Sequence, residues 1–338
     1  MSDGIWLVID RRGVQVNLDS KSVIIRDPEG GMQRIALNLI EGMAVHGNAS
    51  VSCDLWRALA QRHVPVTLLA QRGQEIATWI GAGLQATLHY RRAQHTIDTA
   101  VALNLARHVV ERKLYNIAAL LKFAAQQSTF PAFIKPLPIA DTALQNIQAR
   151  IEQLATCTQT SCLMGCEGAA AVVWFGWLSS ALQPHWRFSG RNRRPPLDPL
   201  NSLLSLGYTL LSSEVQQVVT LCGLDPALGF LHQDYPGRYS LVFDCMEPLR
   251  PGIDAFSLQL LDQVLTPEHF RTNTSHGCRL TREGRTLYYA HWADIRDAWP
   301  VYDGAMVSTV ADQHPRSLRS QCLREVKQVR ALLPKYGA

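Results

Sequence analysis

Between His89 and Gln127 the chain carries almost no glycine or proline, and its apolar residues Ile97, Val101, Leu105, Val109, Leu114, Ile117 and Leu121 recur at helical spacing. A run of that length and period packs as helix and not as sheet. Residues 5–80 obey a different period. Ile5-Trp6-Leu7-Val8-Ile9 reads as a short buried strand, and Val14-Gln15-Val16-Asn17-Leu18 alternates strictly. Ser22 to Arg26 follows after a polar turn, and Asp27-Pro28-Glu29-Gly30-Gly31 is a turn cluster. Ile35–Val45, Val64–Leu69 and Ile76–Ile80 add strand material, and Ser52–Arg62 reads as a helix through Leu55, Trp56, Leu59 and Ala60. The expected fold class is α+β: a small β-rich domain over 1–83, then a larger all-α domain over 84–338, with Gly81-Ala82-Gly83 as hinge. Within the second domain Pro131, Pro136 and Pro138 mark a loop, Ala143–Ala155 a helix, and Gly277–His291 a hairpin around Glu283-Gly284. Neither an internal repeat nor a low-complexity tract is present.

Hydrophobic residues make up 47% of the 338 and charged residues 18%, which is enough apolar matter for a core and excludes a disordered chain. The net charge of +5 permits an anionic partner without demanding one. The longest apolar stretch, Gly168–Leu178, falls short of the roughly 20 residues a bilayer requires. The N-terminus lacks a secretory signal pattern. Eight cysteines without framework spacing point to reduced thiols and a cytoplasmic location.

Several segments offer chemistry. Glu167, in Leu163-Met164-Gly165-Cys166-Glu167-Gly168, opens a run to Leu178 that is hydrophobic all round, so its helix should be buried. A carboxylate there is paired, hydrogen-bonded, metal-bound or protonated; the plainer reading is a first-turn Glu at a helix dipole. Arg191-Asn192-Arg193-Arg194-Pro195-Pro196-Leu197-Asp198-Pro199 is a stiff basic loop, suited to phosphate or simply solvated. His232 ends the apolar segment Gly229-Phe230-Leu231-His232, a setting in which a core histidine is commoner than a ligand. Asp244 and Glu247 lie three apart and share a face if helical, although Pro248 biases Glu247 away from helical backbone; buried, they call for a cation, and the plainer reading is a pair bonded to Arg238 or Arg250. Mixed oxygen and imidazole donors suit Mg²⁺ or Mn²⁺, and such an ion beside a basic loop suits phosphodiester chemistry.

Four blocks occur in order: Gly165-Cys166-Glu167-Gly168; the Arg-x-Arg-Arg-Pro-Pro-x-Asp-Pro-x-Asn run ending at Asn201; Gly229-Phe230-Leu231-His232; and Ser240-Leu241-Val242-Phe243-Asp244-Cys245-Met246-Glu247. Together they closely resemble the CRISPR-associated integrase of the spacer-acquisition machinery. The Gly42–Ser52 stretch with His46-Gly47-Asn48-Ala49, and Val64-Pro65-Val66, resemble that family's β-domain.

The resemblance implies that Glu167, His232 and Glu247 are metal ligands and catalytic residues, with Asp244 an acidic neighbour in the same site. It implies that Arg191, Arg193, Arg194 and Asn201 line the site against DNA. It further implies a β-sandwich-like N-terminal domain that forms a homodimer, a small ferredoxin-like partner protein bridging two dimers, and double-stranded DNA as substrate. The activity implied is insertion of short DNA fragments into a CRISPR array by attack of a 3′-hydroxyl. A degenerate DNA-binding scaffold, a plain metal-dependent nuclease and a hydrolase of small phosphate esters are the alternatives. Cys157, Cys162 and Cys166 crowd the same region, but their spacing matches no standard zinc or iron–sulfur pattern. A C-terminal helix carries Arg316, Arg319, Arg324, Lys327, Arg330 and Lys335 beside a stripe of Leu318, Leu323, Val326 and Leu333, a solvated face or a DNA contact.

Overall fold

The structure, a computed structural model, describes residues 5–9, 11–45, 48–62, 64, 66–69, 76–79, 88–126, 131–134, 138–232, 234–273, 277–299 and 317–333. The expected hinge at Gly81–Gly83, together with His46, Gly47, Pro65, Arg316 and Lys335, lies outside them. The chain divides into two compact units, Met1–Gln85 and Ala86–Ala338.

The first unit is β-rich. Strands β1 (Ile5–Ile9), β5 (Ile40–Val45), β7 (Val66–Leu69) and β8 (Ile76–Trp79) form one sheet in that order, parallel except for the β7–β8 pair. Strands β4 (Met32–Ala36), β3 (Ser22–Arg26), β2 (Gln15–Asp19) and β6 (Ser50–Val51) form the other; β2–β3 and β3–β4 are antiparallel, and β2–β6 is parallel. The alternation in β2 buries Val16 opposite Ile25 and leaves Gln15 exposed. Helix α1 (Cys53–Gln61) starts where Ser52 caps it, accepting the Leu55 N–H at 3.3 Å. Its Leu55 and Leu59, one turn apart, enter a core with Val16, Val23, Met43 and Val66.

The second unit holds nine helices among the described residues. The long helical run of the sequence breaks once, at Thr96–Asp98, into α2 (Leu88–His95) and α3 (Thr99–Gln126). Asp98 restarts the helix, its carboxylate accepting the Ala100 N–H at 2.7 Å. Then follow α4 (Asp141–Leu154), α5 (Thr160–Ala181), α6 (Pro199–Leu221), α7 (Ser240–Met246) and α8 (Arg250–Gln263). Strands β9 (Phe270–Asn273) and β10 (Gly277–Leu280) pair antiparallel before α9 (Arg282–Asp297) and α10 (Leu318–Leu332). Helix α6 is the centre, buried along most of its length and packed on α7, α8 and α10. Helix α3 packs on α4, α5 and α8.

Three expectations change here. The hairpin is β9–β10, and Glu283-Gly284 belongs to the first turn of α9, where Thr281 accepts the Gly284 N–H at 3.1 Å. Helix α5 is not buried all round: Trp174, Trp177 and Leu178 face inward, while Val172 is 74% exposed. Small Ala and Gly residues make both faces read as apolar, although only one is covered. At 22 residues α5 passes for a membrane span by length and composition alone, yet α3 and α4 pack on it inside the helical unit. Finally, Cys157 and Cys162 are joined in a disulfide, against the expectation of reduced thiols; the α4–α5 turn brings their Cα atoms to 5.5 Å.

Candidate metal centre and its basic loop

Three separate elements meet at one ammonium group, and a fourth stands beside them. Helix α3 contributes Lys113, α5 contributes Glu167, the 3-10 turn Glu247–Leu249 contributes Glu247, and the loop between α6 and α7 contributes His232. The Lys113 Nζ donates to Glu167 Oε1 and, at 2.5 Å, to Glu247 Oε2. Two carboxylates thus lie within reach of a single cation. His232 Nε2 stands 3.9 Å from the other Glu247 oxygen, Oε1. Arg250, opening α8, completes the pairing with its Nε 3.0 Å from Glu247 Oε1.

Glu167 sits two turns into α5, which begins at Thr160. The helix-dipole explanation for it therefore fails, since that field fades within the first turn. Glu247 keeps helical backbone (φ −54°, ψ −45°) despite Pro248, because the proline falls at the start of the 3-10 turn, where its missing N–H costs nothing. Asn116, one turn beyond Lys113, donates to the Pro248 carbonyl at 2.7 Å and fixes that turn against α3. Burial pushes the Glu247 carboxyl up, but the Arg250 guanidinium and the Lys113 ammonium outweigh it and bring it down to about 2.

Asp244 faces away from this point. One of its oxygens accepts the N–H groups of Phe230 at 2.5 Å and Leu231 at 3.0 Å; the other accepts the His232 N–H at 3.1 Å and stands 2.7 Å from His232 Nδ1. It is a buried holder of the histidine loop, not a member of the converging set. A neutral His232 bonded in this way carries its proton on Nδ1 and its lone pair on Nε2. Gly229 makes the arrangement possible, because a Cβ there would lie 2.7 Å from Ser240 Cβ and 3.0 Å from Asp244 Oδ2.

The basic loop divides into an inner and an outer part. Asp198 caps α6 by accepting the Asn201 N–H at 2.9 Å. The Asn201 amide, fully buried, donates to the Gly190 carbonyl at 2.8 Å and to Asp198 at 2.6 Å, and accepts from Arg191 at 2.7 Å and the Asn192 N–H at 3.0 Å. Asn201 is therefore a brace of the loop, and the expectation that it touches DNA does not fit its burial. Arg191 is half-buried over the Tyr208 ring, 5.5 Å from its centre, and desolvation lowers its pKa. Arg193 and Arg194 are exposed. Strand β10 supports the loop from below through the Cys278 N–H, which donates to the Pro196 carbonyl at 2.6 Å.

The sequence offers Arg250 as a partner for the carboxylate pair, and it does pair with Glu247, but Lys113, Tyr208 and Asp254 go unmarked there. Asp254 is buried, accepting from the Tyr208 hydroxyl and, at 2.9 Å, from Trp174 Nε1; Arg250 lies 4.9 Å above the Tyr208 ring. Burial raises the Asp254 carboxyl and, more strongly, the Tyr208 hydroxyl. A signal for Lys113 does exist in the sequence: it falls four residues after Val109 and four before Ile117, a charge on the apolar stripe of α3.

Residues 7–294 match the family model described as CRISPR associated protein Cas1. The chain belongs to this Cas1 family. A CRISPR-associated endonuclease Cas1 of Chlorobaculum tepidum is 32% identical over 263 residues, covering 76% of each chain. The fold, strand-rich and then helical as expected, is that of known structures. A casposase bound to integration product superposes with a TM-score of 0.82 at 21% identity, covering 98% of this chain and 92% of the casposase. A Cas6-RT-Cas1–Cas2 complex gives 0.76 at 20% identity, covering 98% of this chain and 35% of that one. The Cas1 relatives are named as endonucleases, and the four sequence blocks fall on the elements that build the converging centre and the loop braced beside it.

Proposed function

We propose that this Cas1-family chain is a metal-dependent DNA integrase and endonuclease that joins short DNA fragments into a CRISPR array by transesterification. The observation that carries the reading is the pairing of Glu167 and Glu247, brought from separate elements, on the one Lys113 ammonium, with His232 Nε2 3.9 Å from Glu247 Oε1. Two hard oxygens held on one cation, with an imidazole beside them, fit Mg²⁺ or Mn²⁺. When bound, such an ion neutralises charge that develops on phosphoryl oxygens. The chain's own residues do the rest. Asp244 presents His232 with its Nε2 lone pair free. Lys113 and Arg250 balance the carboxylates, and Arg193 and Arg194 take the phosphates that flank the scissile bond.

The centre itself offers no side-chain nucleophile, since its members are carboxylates, imidazole and cations. The attacking group then comes from the substrates. A DNA 3′-hydroxyl forms the new P–O bond, the displaced DNA 3′-oxygen leaves, and the number of phosphodiesters is unchanged. Double-stranded DNA is the substrate, and the protein acts in the cytoplasm. The β-rich unit forms the homodimer: a domain of about 80 residues buries a small core and gains from association. A small ferredoxin-like partner bridges two dimers; that one structural neighbour is a complex of Cas1 with Cas2 supports a protein partner of some kind.

The test uses one donor fragment with a normal 3′ end and one with a 3′-deoxy end, each with partner subunit, Mn²⁺ and a supercoiled plasmid carrying the array. Covalent donor–plasmid product is expected only with the 3′-hydroxyl, and none in excess chelator. Nicking without joining by either donor leaves a plain nuclease. Binding without any cleavage leaves a scaffold.

A further inference from the structure

We propose a second, separate site: Cys157, Cys162 and Cys166 hold one soft metal ion when reduced, and close as the Cys157–Cys162 disulfide when oxidised. Their three sulfur atoms all lie within 4.8 Å of one another. The linear spacing, four residues and then three, gave no reason to expect this; the fold supplies it. Cys162 and Cys166 are one turn apart on α5 and share a face. Cys157 comes over them from the α4–α5 turn, which Arg107 of α3 pins by donating to the Leu154 carbonyl at 3.0 Å and the Cys157 carbonyl at 2.8 Å. Cys157 and Cys166 are buried and Cys162 is half-buried, so the group is reached from solvent through Cys162.

The donor set decides the ligand. Three sulfurs with no carboxylate or imidazole among them select a soft ion, of the class of Zn²⁺, Cd²⁺ or Cu⁺, and reject Mg²⁺. This is the opposite of the hard oxygen set around Glu167, so the two sites do not compete for the same ion. Three thiolates also leave the fourth position of a tetrahedral ion open to water.

The two states are joined by a balanced exchange. A dithiol reductant gives two electrons to the Cys157–Cys162 bond; that bond breaks, both sulfurs become thiols, and the reductant becomes a disulfide. The three thiols then bind the ion and release their protons to solvent. In the reverse direction a disulfide oxidant accepts two electrons from the Cys157 and Cys162 sulfurs and becomes two thiols; the Cys157–Cys162 bond re-forms and the ion leaves, because one sulfur alone remains.

The probe is Co²⁺, titrated into the full chain after phosphine reduction. We expect thiolate-to-cobalt absorption in the near ultraviolet that saturates at one ion per chain and is displaced by Zn²⁺. Oxidation with diamide should abolish it and reduction restore it. C157S and C166S should each lose the band, while C53S, which alters an exposed cysteine elsewhere, keeps it. Should either variant misfold, alkylation mapping of the wild type replaces it: Zn²⁺ is expected to protect these three cysteines together in the reduced protein. Absence of the band in the reduced wild type, its survival in both variants, its survival after oxidation, or unprotected sulfurs would each overturn the proposal.

Discussion

Glu247 is buried and yet ionised, held at about 2 by Arg250 and Lys113 against its desolvation. Its unfolded value is near ~4.3. The stability its charge contributes is therefore fully present above ~4.3 and is lost as pH falls through about 2. In chelated protein, E247Q leaves two cations facing a neutral amide, and breaking a buried pair costs about 3–5 kcal/mol. Thermal denaturation should show a lower Tm for E247Q at pH 7, and the gap to wild type should close between about pH 4 and pH 2. A gap independent of pH contradicts this account. Asp244 makes a different prediction, because it acts through His232. D244N replaces one acceptor oxygen by a donor where three backbone N–H groups and Nδ1 all require acceptance. Mn²⁺ affinity should fall about 10–100-fold, measured by calorimetry. Unchanged affinity would remove Asp244 from the support of the centre.

At the scale of elements, periodicity told most and side-chain direction least. The alternation of Val14–Leu18 and the helical run after His89 are visible because one face of each is buried. The break at Thr96–Asp98 was missed, since Ile97 keeps the apolar period while Asp98 caps a new helix. The spacing of Asp244 and Glu247 suggests a pair on one face, and only the packing sends one to the histidine loop and the other to Lys113. The motif groups Asn201 with the arginines because a motif does not say which members are brace and which are contact. The β9–β10 hairpin shows how much a loop depends on an element far along the chain. Gly277 has φ +70°, and a Cβ there would press into Pro196. G277A should therefore cost about 1–3 kcal/mol by overpacking, read by urea denaturation, and should weaken DNA binding by displacing the arginine loop. Wild-type stability and wild-type DNA affinity together would show that the loop does not rest on β10.

Over the whole molecule the net charge is only +5, so DNA affinity cannot come from bulk charge and must come from placed cations. The structure separates the arginines of the loop by role. Arg191 is inside, bonded to Asn201 and stacked over Tyr208, whereas Arg193 and Arg194 are exposed. Each lost phosphate contact removes roughly 0.9 from the slope of log affinity against log salt on duplex DNA. The double variant R193A/R194A should then lower the slope by about 1.8 and leave the Tm within a degree or two of wild type, because neither side chain is buried. R191A should behave in the reverse sense. Its loss leaves the buried Asn201 oxygen without one of its donors and opens a gap over Tyr208, so the Tm falls while the slope changes little. Fluorescence anisotropy at several salt concentrations, paired with thermal denaturation of the same preparations, separates the two outcomes. An unchanged slope in the double variant would move the DNA path away from this loop. The next surface to test is then α10, where Arg319, Arg324, Lys327 and Arg330 gather further positive charge.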